Sequence, residues 1–395
     1  MAVTKTKKTL KMEGSVRQRE NGSWEYRIFI GKDINGKLKY KSIYAKTEKE
    51  LKAKIKDYND NQVKFIEKVY ATTFSEYAKF WMKTFKLPNL KPVSYDRLEQ
   101  TYDKVCTYFG HVQMGNIDSE LIQGMINDLA KNKAYSTVKK HYEFVNNVFK
   151  HAVTSQKLTY NPCDAVVLPT ERNMKVQTKM AEILTQEETD AMYRFNEELK
   201  TSTNQFFKHM PAILLMLNTG WRVGELLALE WKDIDFKKRQ AVICKTLSKS
   251  KSRDEDGNAV GRHKETKAEK TKTKSGERIT PLNDQAIDLL YQIKNYNKRK
   301  KIKSEYVVCT ANGGYVSERN LLRTFKCVMG VIGAEKDYTI HSLRHTFASR
   351  LLQNGVEISV VSKLLGHADI NTTYSKYIHV LEKQMSAELM KFDRI

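Results

Sequence analysis

Apolar and polar residues alternate with a period of two in the first part of the chain. Between residues 14 and 44 the alternation is interrupted at Asn21-Gly22 and at Asn35-Gly36. Asn-Gly between alternating segments is a strong signal for a tight turn between antiparallel strands. We therefore predict a small three-stranded antiparallel sheet. A helical period follows from Thr47 to Val69, and we expect this helix to pack on the sheet.

From Thr73 onwards the apolar residues recur at helical spacing. Four such segments span residues 73–85, 94–109, 118–131 and 136–155, and Gly110, Gly115 and the "NPC" at 161–163 interrupt the pattern. They predict a bundle of about a hundred residues. In the last helix Val138 and Tyr142 share an apolar side, whereas Lys139, Lys140 and His141 point elsewhere, and the surplus of lysine suggests contact with phosphate.

Residues 168–183 show no period and are typical of a linker. Thr185 and Glu188 then form the sequence pattern of a capping box, which predicts the start of a helix. The remaining chain is mostly helical in pattern, but it contains two strand-like segments, 240–247 and 272–282, separated by a long polar stretch. We expect these segments to form an extended hairpin that is too polar to belong to a core.

Length and composition are consistent with a multidomain globular protein. The 395 residues are 40% hydrophobic and 29% charged, and no apolar run approaches the roughly 20 residues of a membrane span. The basic N-terminus lacks the apolar region of a signal peptide, so we expect a cytoplasmic protein. The five cysteines contain no C-x-x-C pair, which argues against a disulfide framework and against a zinc-thiolate site.

The net charge of +23 favours nucleic acid as the partner, because lysine and arginine displace condensed counterions from a phosphate backbone. A basic surface that serves solubility, or one attracted to anionic lipid, is the alternative. In the predicted sheet, cations alternate with aromatic residues, as in a sheet that enters a DNA groove, although a solvated polar face has the same pattern. The candidate DNA contacts there are Arg17, Arg19, Arg27 and Lys39.

Three clusters in the last region contain residues that could carry chemistry. Arg222 lies in a Gly-flanked turn before an apolar helix, and it could also simply pair with Glu225. His341 and Arg344 are three residues apart on a predicted helix. His345 follows at the spacing of a metal pair with His341, but the glutamate of a metalloprotease helix is missing.

The third cluster, "LLGHADINTTYSKYIHV", contains His367 and two tyrosines, Tyr374 and Tyr377. Taken together, two arginines, histidines and a tyrosine suit a metal-free attack on a phosphodiester. The phenol loses its proton as it attacks, fixed cations meet the negative charge that develops on phosphorus, and a lysine can protonate the departing oxygen.

The motifs "TGWRVGE", "HSLRHTFAS" and "LLGHADINTT", in this order and with a lysine-rich hairpin after the first, resemble the tyrosine recombinase (lambda-type integrase) family. The chain looks closest to integrases of Gram-positive temperate phages and of conjugative transposons of the Tn916 kind. The resemblance implies an arm-type DNA-binding domain at 1–70, a helical core-binding domain at 72–168, a linker at 169–182 and a mainly helical α+β catalytic domain at 183–395.

The resemblance also implies roles for individual residues. Arg222 and Arg344 would clamp the phosphate, His341 would act as general base or hydrogen-bond partner, and His367 would be a second contact to the phosphate or the nucleophile. Glu225 would hold Arg222. "KTKSGER" matches the family's lysine pattern at Lys272, but Gly276 stands where a serine is usual, so Lys274 is the alternative.

Residues three apart on a helix differ by about 60° around its axis, so only one of the two tyrosines can address a given phosphate well. Physical reasoning alone does not choose between them. In the family the attacking tyrosine precedes a variable residue and then His, as in "YIHV", which implies Tyr377 as the nucleophile. Tyr374 then stands at a position that is usually apolar, where we expect it to pack.

The implied activity is site-specific recombination of double-stranded DNA through a 3′-phosphotyrosyl link, without cofactor, metal ion or ATP. It would integrate or excise a mobile element or prophage. A homotetramer on two DNA sites, an excisionase and a DNA-bending host protein are the implied partners. A type IB topoisomerase would use the same chemistry but rejoin the same strand, and a DNA-binding regulator would use none of it.

Overall fold

The computed structural model describes residues 14–32, 38–176, 182–201, 205–255, 257–270 and 276–378. It describes only the backbone of residues 29–32, 38–39, 61–68, 205, 262–267 and 270. The chain divides into two compact units. The first comprises residues 1–178 with 255–258, and the second comprises 179–254 with 259–395. No helix in the described ranges is long and apolar enough to cross a membrane.

The first unit begins with the predicted three-stranded antiparallel sheet, in the order β1-β2-β3. Its strands are β1 (Ser15–Gln18), β2 (Trp24–Lys32) and β3 (Leu38–Ala45). The predicted helix is also confirmed, as α1 (Glu48–Ala71). One face of the sheet packs on α1 through a small apolar cluster that includes Tyr26, Ile28 and Leu51. The other face therefore remains available for polar side chains.

A helical bundle follows, as the spacing of apolar residues predicts. Its helices are α2 (Phe74–Trp81), α3 (Pro92–Phe109), α4 (Ser119–Asn132) and α5 (Tyr135–Thr154). Thr73 forms a capping box with Glu76 at the start of α2, and Asp118 caps α4. The core is aromatic: the ring of Phe74 meets that of Phe109 edge to face at a centroid distance of 5.0 Å.

The prediction for His141 is wrong, because this residue is buried in the core of the bundle. It lies three residues after Val138 and four before Val145, so helical spacing brings it onto the same stripe. Its Nδ1 is 2.7 Å from the carbonyl oxygen of Thr137, which provides a local hydrogen bond for the buried ring. Lys139 and Lys140 are exposed.

The second unit is mostly helical. Its helices are α6 (Gln186–Leu199), α7 (Met210–Thr219), α8 (Val223–Leu227), α9 (Asp284–Arg299), α10 (Glu318–Val331), α11 (His341–Gln353) and α12 (Ile358–Leu365). Residues 370–378 are helical as well. Thr185 and Glu188 form the predicted capping box of α6. Helix α7 is buried on almost every side and is the centre of a large apolar cluster.

The strands of this unit differ in part from the predicted hairpin. The strands β4 (Ile234–Asp235), β5 (Gln240–Ile243) and β8 (Arg278–Pro281) form an antiparallel sheet, in which β5 pairs with β8 as expected. The polar stretch between them is not a loop, because β6 (Lys245–Arg253) and β7 (Ala259–Lys270) pair as a separate two-stranded ribbon. The ribbon has almost no alternation of apolar and polar residues, which is why its pattern predicts no strands.

Two glycines end helices next to the motifs that contain Arg222 and His367. Gly220 follows α7 with φ +64°, and Gly366 follows α12 with φ +66°, both in the left-handed region that glycine adopts without strain. Each therefore turns the chain sharply at the end of its helix. The turns bring Arg222, two residues after the first glycine, and His367, directly after the second, back towards α11, which packs on both helices.

We expect Gly220→Ala to destabilise the second unit by about 2–4 kcal/mol, because the left-handed backbone and an overpacked neighbour both oppose a side chain there. A Cβ at Gly220 would lie 2.4 Å from the ring of Phe347. Thermal unfolding of the full chain measures the change. Gly330→Ala, within α10 where the space is open, is the matched control and should be neutral or stabilising by about 0.5–1 kcal/mol. Equal melting temperatures for the two variants would contradict the prediction.

Candidate active site

The guanidinium of Arg344 lies at the centre of the predicted site. It is on the first turn of α11 and only 6% exposed. Nη1 donates to the carbonyl oxygen of Gly220 at 2.7 Å, and Nη2 donates to that of Leu365 at 2.8 Å. Nη2 also lies 2.9 Å from Nε2 of His367. Burial lowers the pKa of Arg344 to about 9, so the group remains a cation at neutral pH.

Arg222 lies beside it and is held by a buried carboxylate. Glu225 accepts from Arg222 Nη1 at 2.7 Å and from the Arg222 backbone N–H at 2.9 Å. The same carboxylate accepts from Arg278 Nη2 at 2.8 Å. Burial alone would raise the pKa of Glu225, but the hydrogen bonds and charges of the two arginines outweigh it and lower that pKa. The side chain of Arg222 is still 39% exposed, so it can reach a ligand.

His367 is fixed in one neutral form. Its Nε2 accepts from Arg344, so its other nitrogen, Nδ1, carries the proton and donates to Thr373 Oγ1 at 2.7 Å. Burial, followed by the charges of Arg344 and Arg222, lowers the pKa of His367 to about 3. Both ring nitrogens are therefore engaged in hydrogen bonds. The imidazole stays neutral at neutral pH and holds the guanidinium of Arg344 in place.

Tyr377 lies in the same site, with its ring buried and its hydroxyl bonded to a histidine. The side chain is 2% exposed and belongs to an apolar cluster with Leu352 and Leu365. Its Oη lies 2.9 Å from Nδ1 of His345. Burial raises the pKa of Tyr377 to about 12, although the charge of Arg344 acts in the opposite direction. The phenol is therefore protonated at neutral pH.

The structure separates the two tyrosines, but not as expected for Tyr374. Tyr374 does not pack, because half of its surface is exposed (50%), and the packed tyrosine is Tyr377. The reason is the helical period: Thr373 and Tyr377 are four residues apart and both buried, so Tyr374 lies on the adjoining, outer side. The spacing of four between Thr373 and Tyr377 is the sequence signal that could have shown this exposure.

His341 is the first residue of α11 and is exposed. Partial desolvation is the main cause that lowers its pKa, and the cations Arg344, Lys376 and Arg222 act in the same direction, whereas Glu318 opposes them. His341 therefore belongs to the same electrostatic cluster as the arginines. The hydroxyl of Tyr377, however, is bonded to His345.

Two residues near the site were not predicted to have a role in it. In the sequence, His345 stands out only as a neighbour of His341, because nothing in the spacing of residues 345 and 377 shows that they meet. Lys376 comes directly before Tyr377, and its charge lowers the pKa of His341, His345 and His367. A basic residue next to the predicted nucleophile is the signal that could have identified it.

The predicted lysine and its alternative, Lys272 and Lys274, lie outside the described residues. They belong to the segment between β7 and Gly276. Within the described part of the chain, no three His, Cys, Asp or Glu side chains are grouped as a metal ion would require. The groups that the structure brings together are thus Arg222, Arg344, His367 and Tyr377, with His341 at the edge.

A second candidate surface is the face of the N-terminal sheet opposite α1. At its centre the carboxylate of Glu25 is bonded by Arg17 (Nη2 to Oε2, 2.7 Å) and by Ser42 (Oγ to Oε1, 2.7 Å). The hydrogen bond from Ser42, and then that from Arg17, lower the pKa of Glu25 to about 2. The guanidinium of Arg27 stacks over the ring of Tyr40 at 4.2 Å from its centroid.

Arg17, Arg19 and Arg27 are therefore brought together on one face. Arg19 stacks over the ring of Tyr44, which also bonds Glu25, and so lies on that same face. The side chain of Lys39 lies outside the described part. Lys139 and Lys140 are exposed on α5, in the helical bundle, and not on the sheet.

Two family models match the chain. The model described as "Phage integrase family" matches residues 182–384, which contain the site around Arg344. The model described as "Phage integrase, N-terminal SAM-like domain" matches residues 73–130, which lie in the helical bundle.

Similar curated proteins extend along most of the chain. A "Tyrosine recombinase XerC-like" protein of Caldanaerobacter subterraneus subsp. tengcongensis is 31% identical, and the match covers 92% of this chain and 95% of that protein. The integrase of Staphylococcus phage L54a is 23% identical over 87% of this chain and 96% of its own length.

Solved structures share the fold. The integrase of the transposon Tn1549, solved with circular intermediate DNA, has a TM-score of 0.63 and 20% identity, covering 81% of this chain and 100% of that one. A lambda integrase tetramer bound to a Holliday junction has a TM-score of 0.57 and 16% identity, covering 90% and 95%. At these identities the likeness concerns the fold alone.

We expect Glu225→Gln to destabilise the second unit by about 3–5 kcal/mol, because it removes the charge that compensates two arginines in a buried ion pair. Urea unfolding followed by tryptophan fluorescence measures the loss. Asp337→Asn is the matched control, since its partner Lys326 is 3.2 Å away on the exposed surface, and it should change stability by less than about 1 kcal/mol. If both variants unfold at the same urea concentration, the carboxylate is not the support of the two arginines.

Proposed function

The chain belongs to the phage integrase family and is a site-specific tyrosine recombinase, an enzyme that breaks and rejoins DNA; from this premise we propose how its own residues perform the reaction. The substrate is duplex DNA at the recombination sites of a mobile element or prophage. The nucleophile is Tyr377, and the phosphate is held by Arg222 and Arg344. Recombination of this kind integrates the element into a bacterial chromosome or excises it, so the enzyme acts in the bacterial cytoplasm.

One observation carries the assignment of residues: Tyr377 packs in the same cluster as Leu365, whose carbonyl oxygen accepts from the buried guanidinium of Arg344, and the charge of that guanidinium acts on the phenol. Arginine has five N–H donors, and the described residues occupy three of those of Arg344. Arg222 has unused donors too and is partly exposed. Two planar cations with free donors next to a phenol form a site for the non-bridging oxygens of a phosphodiester.

In the proposed reaction, Oη of Tyr377 gives its proton to a histidine of the site and forms a bond to phosphorus, while the bond from phosphorus to the 5′ oxygen breaks. The two arginines neutralise the charge that develops on the phosphate. Lys272, with Lys274 as the alternative, gives a proton to the departing 5′ oxygen. The phosphotyrosyl link keeps the energy of the broken bond, so the 5′ hydroxyl of the partner duplex can attack it without ATP.

Four active sites are needed to exchange four strands, and we propose a homotetramer on two DNA sites. The support comes from relatives of the same fold: lambda integrase has been solved as a dimer on a core site and as a tetramer on a Holliday junction. An excisionase and a DNA-bending host protein complete the proposed assembly, since direction has to be set by something other than the strand chemistry.

We propose that residues 1–70 bind arm-type DNA and that residues 72–168 bind the core site. Residues 169–182 would link these two domains to residues 183–395, which catalyse strand cleavage and rejoining. The sheet face with Arg17, Arg19 and Arg27 supports the first role, because cations and aromatic rings on an open sheet suit a DNA groove. We also propose Lys39, on the strand that contains Tyr40, as a DNA contact. Exposed Lys139 and Lys140 on α5 would contact phosphates of the core site.

Tyr377→Phe should abolish the covalent protein–DNA adduct and leave DNA affinity unchanged, because only the attacking oxygen is lost. The assay uses the full chain and a nicked suicide duplex that contains a site selected from a random library, with gel separation of the adduct. Tyr374→Phe, the matched control on the same helical segment, should form adduct at the unmodified rate. Adduct formation by Tyr377→Phe but not by Tyr374→Phe would reverse the assignment.

The same assay separates the alternatives. A non-catalytic DNA-binding protein would form no adduct with either tyrosine. A type IB topoisomerase would form the adduct and relax a supercoiled plasmid, but it would not join strands of two duplexes. A recombinase exchanges strands between two site-containing duplexes, which is the outcome we expect.

Arg17→Ala and Arg27→Ala should each weaken binding to duplex DNA and lower the slope of log affinity against log salt by about one. The reason is that each arginine releases condensed counterions when it meets a phosphate. Fluorescence anisotropy of the full chain with a labelled duplex measures both quantities. Lys52→Ala is the control, because this exposed cation lies on α1, behind the sheet, and its loss should leave the slope unchanged. Equal slopes for all variants would exclude the face as the contact surface.

A further inference from the structure

A buried tyrosine that attacks phosphorus needs a group that takes its proton. The hydroxyl of Tyr377 is hydrogen bonded to Nδ1 of His345 at 2.9 Å, and the two rings lie 5.8 Å apart between centroids. In the described part of the chain, His345 is thus the titratable side chain to which the proposed nucleophile is hydrogen bonded. General acid–base catalysis requires contact at this distance.

The protonation states suit a transfer from phenol to imidazole. Burial is the main cause that lowers the pKa of His345 to about 4, and the charges of Lys376 and Arg344, with His341 beside them, act in the same direction. His345 is therefore neutral at neutral pH. In the tautomer that can accept this proton, the phenol donates to Nδ1 and the other ring nitrogen carries the hydrogen.

The other histidines of the site are less suited to this role. His367 uses both ring nitrogens, one with Arg344 and one with Thr373. His341 is exposed at the start of α11, one helical turn before His345. Geometry thus separates a histidine that orients an arginine from one that faces the attacking oxygen.

We propose that His345 is a catalytic residue that accepts the phenol proton through Nδ1 as Oη of Tyr377 bonds to phosphorus. The bond from phosphorus to the 5′ oxygen breaks in the same step, and that oxygen takes its proton from the hairpin lysine. When the strand is rejoined, His345 returns the proton to Oη as the phosphotyrosyl bond breaks. This inference rests on the proposed function of Tyr377.

Bound DNA makes His345 a stronger base than it is in the free protein. The phosphodiester brings a negative charge next to Lys376 and Arg344, two of the cations that depress its pKa. At the same time the phenol becomes a stronger acid as its oxygen bonds to phosphorus. Both changes favour transfer of the proton at the moment of attack, and not before.

The test replaces His345 by Asn, whose side-chain oxygen can still accept the hydrogen bond but cannot hold a proton. Single-turnover adduct formation on the nicked suicide duplex should slow by at least about a hundredfold, the usual contribution of a general base. The remaining rate should rise with pH, because hydroxide replaces the lost base, whereas DNA affinity should not change. His111→Asn, an exposed histidine of the first unit, is the matched control and should react at the unmodified rate.

A second measurement distinguishes proton transfer from a structural role. Fluorinated tyrosine at position 377 has a more acidic phenol, so it should restore most of the rate lost in His345→Asn and change the parent enzyme little. An unmodified rate for His345→Asn, or a slow rate that fluorination does not restore, would overturn the proposal. If the parent enzyme itself forms no adduct at Tyr377, the proposed function fails instead, and the two failures remain distinguishable.

Discussion

The buried guanidinium of Arg344 is the interaction on which the second unit depends. It donates to the carbonyl oxygens at the ends of two helices. These are the carbonyl oxygen of Gly220, which follows α7, and that of Leu365, the last residue of α12. Carbonyl groups at helix ends lack partners within the helix, so a buried cation satisfies them and aligns with both helix dipoles. The same cation orients His367. Folding of the unit therefore also assembles the groups of the proposed phosphate site.

The site is rich in positive charge and short of negative charge. Arg222, Arg278 and Arg344 lie around a single carboxylate, Glu225, and the nearby histidines are held neutral by burial and by these cations. In the proposed reaction, a phosphodiester supplies the missing negative charge. The mutual repulsion of the cations in the free protein is then relieved by the substrate, and most strongly by the more highly charged transition state.

The sequence predicts well whatever depends on local patterns. Asn-Gly turns predicted the N-terminal sheet, and the Thr185 capping box predicted the start of α6. The ribbon β6–β7 was missed because its strands are polar on both faces, so no period of two appears. The contact of His345 with Tyr377 was missed because it joins residues far apart in the chain. His141 shows a third limit: helical spacing predicts the stripe it shares, but polarity argued against its burial.

The carboxylate of Glu25 changes what the N-terminal face can offer to DNA. Three described arginines and one carboxylate leave two net positive charges there, so the face attracts a polyanion less strongly than its arginines suggest. In return, Arg17 is already held in one conformation and loses little side-chain entropy when it meets a ligand. Such a surface attracts any polyanion less strongly, but it presents its hydrogen-bond donors in a defined arrangement.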